Sequence, residues 1–407
     1  LLSSTLGYVF SGGDGGDASS SASWSGGVSQ KMPWGGDVSA SAGLSHAGGP
    51  GAEPGAFGTS ASIRLTQPLL RGAGRELALE PLTQAERGMM YAIRRFELFR
   101  ENFSIDVAQR FYGLVQQKRG LENQRRNIED LVFARRQAEA MLKLGDTSEL
   151  EVLRARRSAL TSQNDQIEAE ESLHLALDQF RIFLGLPPGV TVDVRDEAPE
   201  FIEVDYEVDS AIEVAFKNRL DVLTEREQLE DSDRALRLAE NGIQPDLNLD
   251  VSYGIGGSSD PSALHQSPFD GSYSASLSLA LPVDRTGERS SLRNAQVAHR
   301  RALRAHDQFE QDLVVQIQSK FRELARRTQS LEIQRQLIAD QERNVKIAQL
   351  RFEQGDFSNR DVVEAQQSLL EARNALIQEQ VNYEIGRLEL IRDLGILFID
   401  ERGMWTE

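Results

Sequence analysis

Proline disrupts an α-helix more than any other residue, so the stretches of this 407-residue chain that lack it constrain the fold most. The 12 prolines stand at 33, 50, 54, 68, 81, 187, 188, 199, 245, 261, 268 and 282, which leaves 82–186 and 283–407 free of them. Both stretches are rich in Ala, Leu, Gln, Glu and Arg, the good helix formers. Each reads as a long helix, a break and a shorter helix. The breaks are Leu144-Gly145-Asp146-Thr147 and Gln354-Gly355-Asp356-Phe357, where glycine supplies the left-handed closing residue and Asp or Ser caps the next helix. From about Glu288 to Gln354 the second long helix runs roughly 100 Å at 1.5 Å per residue, longer than a globular core requires.

Hydrophobic spacing says what these helices meet. Ala295, Ala298, Ala302, Ala305 and Phe309 recur at spacings of 3, 4, 3 and 4, a coiled-coil seam whose small residues permit close approach. In the shorter helix Val362, Leu369, Leu376, Tyr383 and Leu390 keep a seven-residue step, with Val363, Leu370, Ile377 and Ile391 alongside. Two adjacent apolar stripes let one helix contact a neighbour on each side, as in a cylinder of helices. An ordinary antiparallel bundle produces the same periodicity.

The proline-containing segments carry a period of two instead. Leu247, Leu249, Val251, Tyr253 and Ile255 alternate with polar residues and glycine, and Tyr273, Ala275, Leu277, Leu279 and Leu281 alternate with serines. Strands of roughly 9–10 residues result, long enough for a tilted crossing of a bilayer. Four N-terminal segments alternate likewise: Leu6, Tyr8, Phe10; Trp24, Gly26, Val28; Val38, Ala40, Ala42, Leu44; and Ala61, Ile63, Leu65. Residues 1–75 hold 17 of the 33 glycines but only 8 of the 108 charged residues. Trp24, Trp34 and Tyr273 suit a membrane interface. A soluble antiparallel sheet shows the same alternation. Serine at every other position with almost no charge favours a barrel wall.

The chain also repeats itself. A shift of 210 places Gly145-Asp146 on Gly355-Asp356, Glu151-Val152-Leu153 on Asp361-Val362-Val363, and Leu184-Gly185-Leu186 on Leu394-Gly395-Ile396. A shift of 214 places Ser62 through Pro68 on Ser276 through Pro282. Strand, proline, long helix, Gly-Asp turn and shorter helix thus occur twice. The second copy is preceded by a helix over 207–242 and a strand over 246–256. Its counterpart in the first copy, about 40 residues of helix, is expected before Leu1, with a signal peptide ahead of it, since no signal is visible at Leu1.

Composition removes several function classes. Lys and Arg number 45 against 63 Asp and Glu, a net charge of −18, with no basic cluster for a nucleic acid to neutralise. Without cysteine there is no disulfide, thiolate nucleophile or cysteine-ligated metal. No window reaches the roughly 18 apolar residues of a membrane-spanning helix. The histidines at 46, 174, 265, 299 and 306 form no metal spacing, and His299 and His306 read as facing solvent or a bundle groove. Gly72-Ala73-Gly74 lacks the rest of a dinucleotide fingerprint and reads as a strand-to-helix turn. No catalytic constellation, metal site or cofactor is expected. Four membrane strands cannot close a barrel, so a ring of identical copies is expected.

In Gln67-Pro68-Leu69-Leu70-Arg71-Gly72, in Asn218-Arg219-Leu220-Asp221 followed by Gln244-Pro245-Asp246-Leu247, in the strand end Leu279 through Val283, and in Gly355 through Gln366, the sequence resembles the TolC-like outer-membrane efflux proteins. The resemblance covers essentially the whole chain. It implies a mixed α+β membrane protein of two internal repeats, a homotrimer whose 12-stranded outer-membrane β-barrel is continuous with a long periplasmic α-helical barrel. Strands of the first repeat occupy 1–75, with 22–46 a possible extra hairpin, and its helices 76–186. A linker at 187–209 leads to the first helix of the second repeat at 210–243. The membrane hairpin at 244–284, helices at 285–397 and a tail at 398–407 complete it.

The function implied is a passive exit duct of a tripartite efflux or type I secretion system, spanning the outer membrane of a Gram-negative-type bacterium. A periplasmic adaptor and an inner-membrane transporter would deliver its substrates. By position, the adaptor-docking tips are Leu144, Gly145, Asp146 and Gln354, Gly355, Asp356, although a smaller or apolar residue is expected where Asp146 and Asp356 stand. The constriction acids are Asp361 and Glu364, two stacked carboxylate rings in three copies, which favour cations. Alternatively Asp361 is an early-helix acid favoured by the dipole and Glu364 a solvated one. The rival architecture is a soluble periplasmic coiled-coil adaptor or scaffold with a small sheet domain; a secreted enzyme has no pocket advertised in the sequence.

Overall fold

Alternation of apolar residues with serine, or with Asn, Asp and Gly in one strand, gives most strands one greasy and one polar face, and among the described residues six strands form a single antiparallel sheet in sequence order. The computed structural model describes residues 2–11, 19–48, 57–195, 201–204, 206–258, 271–354, 356–400 and 405–406. The strands are β1 (Leu2–Ser11), β2 (Ser19–Lys31), β3 (Asp37–Gly48), β4 (Phe57–Pro68), β5 (Asp246–Ser258) and β6 (Ser272–Ala280). The helices are α1 (Arg75–Leu144), α2 (Glu149–Phe183), α3 (Val208–Asn218), α4 (Leu220–Asn241), α5 (Thr286–Glu353) and α6 (Asn359–Asp393). Two compact units result, one of Leu1–Ile93 with Thr224–Asp307 and one of Arg94–Leu223 with Gln308–Glu407.

In the first unit the four strands per chain behind a 12-stranded barrel become six. β2 and β3, which contain the segment 22–46, lie inside the sheet between β1 and β4. The hairpin closes through Met32 to Gly36, whose backbone groups bond at 2.7 Å, with Gly35 at φ +99°. Register keeps the faces in phase: Val28, Ala40, Ile63, Tyr253 and Tyr273 form one row across β2 to β6, and Gly27, Ser41, Ser62, Gly254 and Ser272 the adjacent row on the opposite face. Hydroxyls bridge strands at 2.9 Å from Ser41 to Ser62 and at 2.8 Å from Ser252 to Ser274. The apolar face is open, with Ile63 56% and Leu277 64% exposed. Among the described residues, β1 and β6 each have an unpaired edge.

Gly72 and Gly74, at φ +79° and +106°, turn the chain from β4 into α1. There α1 is laced to α4 by Arg87 with Glu227 at 3.0 Å, Tyr91 Oη donating to Asp231 at 2.6 Å, and Arg234 with Glu80 at 3.1 Å. His299 lies in the groove between α4 and α5, 3.0 Å from the Ser232 hydroxyl.

In the second unit α6 is the central helix. Tyr383 and Leu390 pack with Leu313, Ile317 and Leu324 of α5, whereas Val381, Ile385 and Leu388 pack with Ile105 and Ala108 of α1. Near its start, Val362 and Ala365 pack on Val345, Ala348 and Phe352. α2 joins α1 through Phe180, buried against Leu114 and Val115.

The single helix read over 210–243 is two helices. Arg219 takes an extended conformation at φ −64°, ψ 127°, and its guanidinium donates to Asp221 at 2.6 and 2.9 Å and to the Asp393 carbonyl at 3.2 Å. Gly395 presses on the break so closely that a Cβ there would lie 2.9 Å from Arg219 N. Tertiary contact therefore overrides the helix-forming local sequence. Within the tail, β7 (Phe398–Ile399) pairs with β8 (Trp405–Thr406), and Arg100 holds the Ile399 and Asp400 carbonyls at 3.1 and 3.0 Å.

Candidate gate turns and helix edges

Both Gly-Asp breaks end a long helix by the same bonds. In the first, the Asp146 N–H donates to the Met141 carbonyl at 2.9 Å and Gly145 sits at φ +85°, the left-handed residue that only glycine adopts without strain. Ser148 then caps α2, accepting from Glu151 N–H at 3.4 Å. In the second, Asp356 N–H donates to Arg351 at 2.9 Å. Gly355 lies outside the described residues. Leu144 is 77% exposed, and Asp146, Gln354 and Asp356 are exposed as well. The carboxylates after glycine thus stand at the turn surfaces, at positions where the resemblance implies a smaller or apolar residue.

Asp361 and Glu364 come together on one exposed face of the first turns of α6. Asp361 first does local work: its carboxylate accepts from the Ser358 hydroxyl at 2.7 Å and the Ser358 N–H at 2.8 Å, the return half of a capping box. These bonds, the hydroxyl's first, hold its pKa below the ordinary aspartate value. The stabilisation is therefore present at neutral pH and is lost as pH falls through that lowered value. Glu364 lies 3.9 Å from Arg360 with both side chains at least 70% exposed, a weak ion pair. Both side chains are accessible in the single chain.

Several polar groups escaped the sequence reading because they occupy apolar stripes. Asn359 and Gln366, flanking Val362 at spacings of 3 and 4, are only 1% and 4% exposed. Glu384 and Arg387 are a buried pair at 2.9 Å on α6. Amides also cross the helix seams: Gln116 to Gln378, Asn123 to Asn374 at 2.9 Å, and Gln124 to Ser162 at 3.0 Å. The discoverable signal was amides at 374, 378 and 382, four residues apart on one helix face.

A polar cavity of 480 Å³ beside the Arg219 break is lined by Glu101, Asp221, Arg392 and Asp393 among others. Burial raises the Glu101 pKa to about 7, opposed by nearby Arg392. A raised acid favours folding below its unfolded pKa, and that advantage disappears as pH rises to about 7. Glu101→Gln is expected to stabilise the protein at pH 8 by about 1–2 kcal/mol, discounted for partial solvent access, and to do little at pH 4.5. Thermal unfolding in detergent at the two pH values measures the difference.

α2 and α5 carry unsatisfied apolar edges. On α2, Leu153, Leu160 and Ile167 at seven-residue spacing are 55%, 52% and 61% exposed. Val315, Ile333 and Leu350 of α5 are 58%, 62% and 58% exposed. Among the described residues no group of histidines and carboxylates is placed to hold a metal ion, and no helix is long and apolar enough to cross a membrane.

Residues 211–395 match the family described as outer membrane efflux protein. Among solved structures, the chain is similar to the outer-membrane channel OprN, with TM-score 0.73, 15% identity and coverage of 97% of this chain and 81% of that one. It is similar to the outer membrane protein VceC from Vibrio cholerae, with TM-score 0.71, 16% identity and coverage of 97% and 87%. The open state of the Neisseria gonorrhoeae MtrE outer membrane channel gives TM-score 0.64 at 15% identity, covering 97% and 81%. At such identities the likeness is one of fold. No curated protein sequence matches the chain.

Proposed function

We propose, from the premise that residues 211–395 belong to the outer membrane efflux protein family, that the chain is one protomer of a passive outer-membrane exit duct. The observation that carries this reading is the six-stranded sheet with one apolar face, one hydroxyl face and two unpaired edges. Bacterial barrels need at least about eight strands, so six must pair with other copies, and an even number per chain lets antiparallel pairing close around a ring. Three copies, as the resemblance implies, give 3 × 6 = 18 strands in place of 12. The apolar face then meets lipid and the hydroxyl face water. The exposed edges of α2 and α5 support the same ring, since each copy offers an apolar seam on two different helices.

In this assembly the duct's periplasmic end is formed by the two Gly-Asp turns. Leu144 to Asp146 and Gln354 to Asp356 receive a periplasmic adaptor, an inner-membrane transporter supplies the substrate, and Asp361 and Glu364 form stacked carboxylate rings at the constriction. The two repeats contribute equivalent turns, since Asp146 N–H to Met141 and Asp356 N–H to Arg351 recur 210 residues apart. No cofactor takes part. Fractionation of the producing cell tests the placement. The chain should sediment with the outer membrane and resist extraction by salt; release by salt as a single copy would favour the soluble adaptor or scaffold reading.

A further inference from the structure

The hydroxyl face of the sheet is nearly free of charge, and the few charges it carries are grouped. Strand register assigns to this face Ser21, Ser23, Ser25, Gly27 and Ser29 of β2, with Ser39, Ser41, Gly43 and Ser45 of β3 beside them. Ser60 and Ser62 of β4, Ser252 and Gly254 of β5, and the even-numbered serines of β6 continue it. At the strand ends that lead to α1 and come from α4, one row runs Lys31, Asp37, Thr66, Asp250, Ser276. Arg64 stands one step further in, opposite Ser39 and Ser252. Thr66 donates its hydroxyl to Asp250 at 2.7 Å, and Asp246, two steps outward on the same face, is paired with Arg71 at 3.4 Å. Apart from Asp246, which Arg71 neutralises, this face holds no other charged side chain among the described residues, and the formal charges of Lys31, Arg64, Asp37 and Asp250 cancel.

We propose that Lys31, Asp37, Arg64 and Asp250 form an electroneutral collar at one end of a hydroxyl-lined lumen, so that the β-sheet portion of the duct passes polar solutes without regard to their charge. The inference rests on the duct reading, which makes the hydroxyl face the wet one. Two cations and two anions within neighbouring rows cancel beyond about one Debye length, roughly 10 Å at 0.1 M salt, so a solute near the axis meets hydroxyl dipoles and almost no net field. Charge discrimination is thereby left to the helical part, where Asp361 and Glu364 stand. Substrates suited to such a lining are polar molecules of either sign or none, excluded by size and not by charge.

The absence of cysteine from the chain makes a direct test available. Ser62→Cys places one reporter thiol beside the collar, and its modification by small cationic and anionic thiosulfonates is timed in the reconstituted full-length protein. After correction for their reactivity with a free thiol, the two reagents should react within about twofold of each other. Lys31→Gln with Arg64→Gln should make the cationic reagent faster by about fivefold at 0.1 M salt, and Asp37→Asn with Asp250→Asn should favour the anionic one by a similar factor, both shrinking at 1 M salt. A severalfold bias with the collar intact, or no response to either pair, overturns the inference while leaving the duct in place. A thiol at Ser62 silent to both reagents, with one at Ile63 reactive, would put water on the other face and overturn the duct reading itself.

Discussion

Leu160→Glu combined with Ile167→Glu is expected to leave each chain folded and unable to assemble. Both side chains project from α2 and are more than half exposed in the single chain, so the substitution costs the isolated protomer little. In the proposed ring the same residues would be covered by a neighbouring copy. Burying an aliphatic side chain of this size contributes about 1.5–3 kcal/mol, and a carboxylate forced into its place adds a desolvation cost of several more. Losing both residues at every interface therefore weakens each one by at least about 5 kcal/mol, several thousandfold in affinity. Native mass measurement in detergent should find single copies with unchanged helix content, whereas Thr161→Glu, exposed and about 100° round the helix from Leu160, should leave assembly intact. An undisturbed oligomer in the double variant would remove α2 from the interface.

Asp361→Ala with Glu364→Ala is expected to open the conduction pathway. A ring of three copies would lose six carboxylates, so conductance in planar bilayers should rise severalfold, or cation preference and block by multivalent cations should weaken. The alanine pair also deletes the cap on α6, whose loss costs about 0.5–2 kcal/mol and could itself loosen the turn. Asp361→Asn with Glu364→Gln separates the two effects, because asparagine keeps an acceptor for the Ser358 hydroxyl at 2.7 Å while removing the charge. If the rings act by charge, both pairs of substitutions relieve cation preference and block alike. Unchanged single-channel behaviour in both would leave Asp361 as a helix cap and nothing more.

Much of this architecture was legible because it depends on short-range periodicity. Alternation of Leu247, Leu249 and Val251 with polar residues set the faces of β5, and the seven-residue step from Val362 to Leu390 set a packing stripe of α6. Proline-free stretches marked the long helices, although α1 begins at Arg75 and takes Pro81 into its second turn. Serine alternation over 19–31 and 37–48 was equally readable; an expectation of four strands per chain set that hairpin apart.

What escaped was decided at long range. Arg219 breaks a run of good helix formers because Asp221 and the backbone around Gly395 converge on it from more than one element. Asn359, Gln366 and the Glu384–Arg387 pair look like solvent-facing residues by type, and only packing reveals them as buried. For the gate acids the residue types and their spacing were readable, and the local structure adds that Asp361 is held by Ser358. Whether those carboxylates line a constriction depends on neighbouring copies.

Electron cryomicroscopy of the full chain in lipid nanodiscs bears on the central claim most directly, since it counts copies around the ring and shows what β1 and β6 pair with. The predicted result is three copies enclosing a lumen, with β6 of each paired to β1 of the next in one closed sheet whose serines face inward. A single copy with both edges free, or a sheet whose serine face meets lipid, would contradict it.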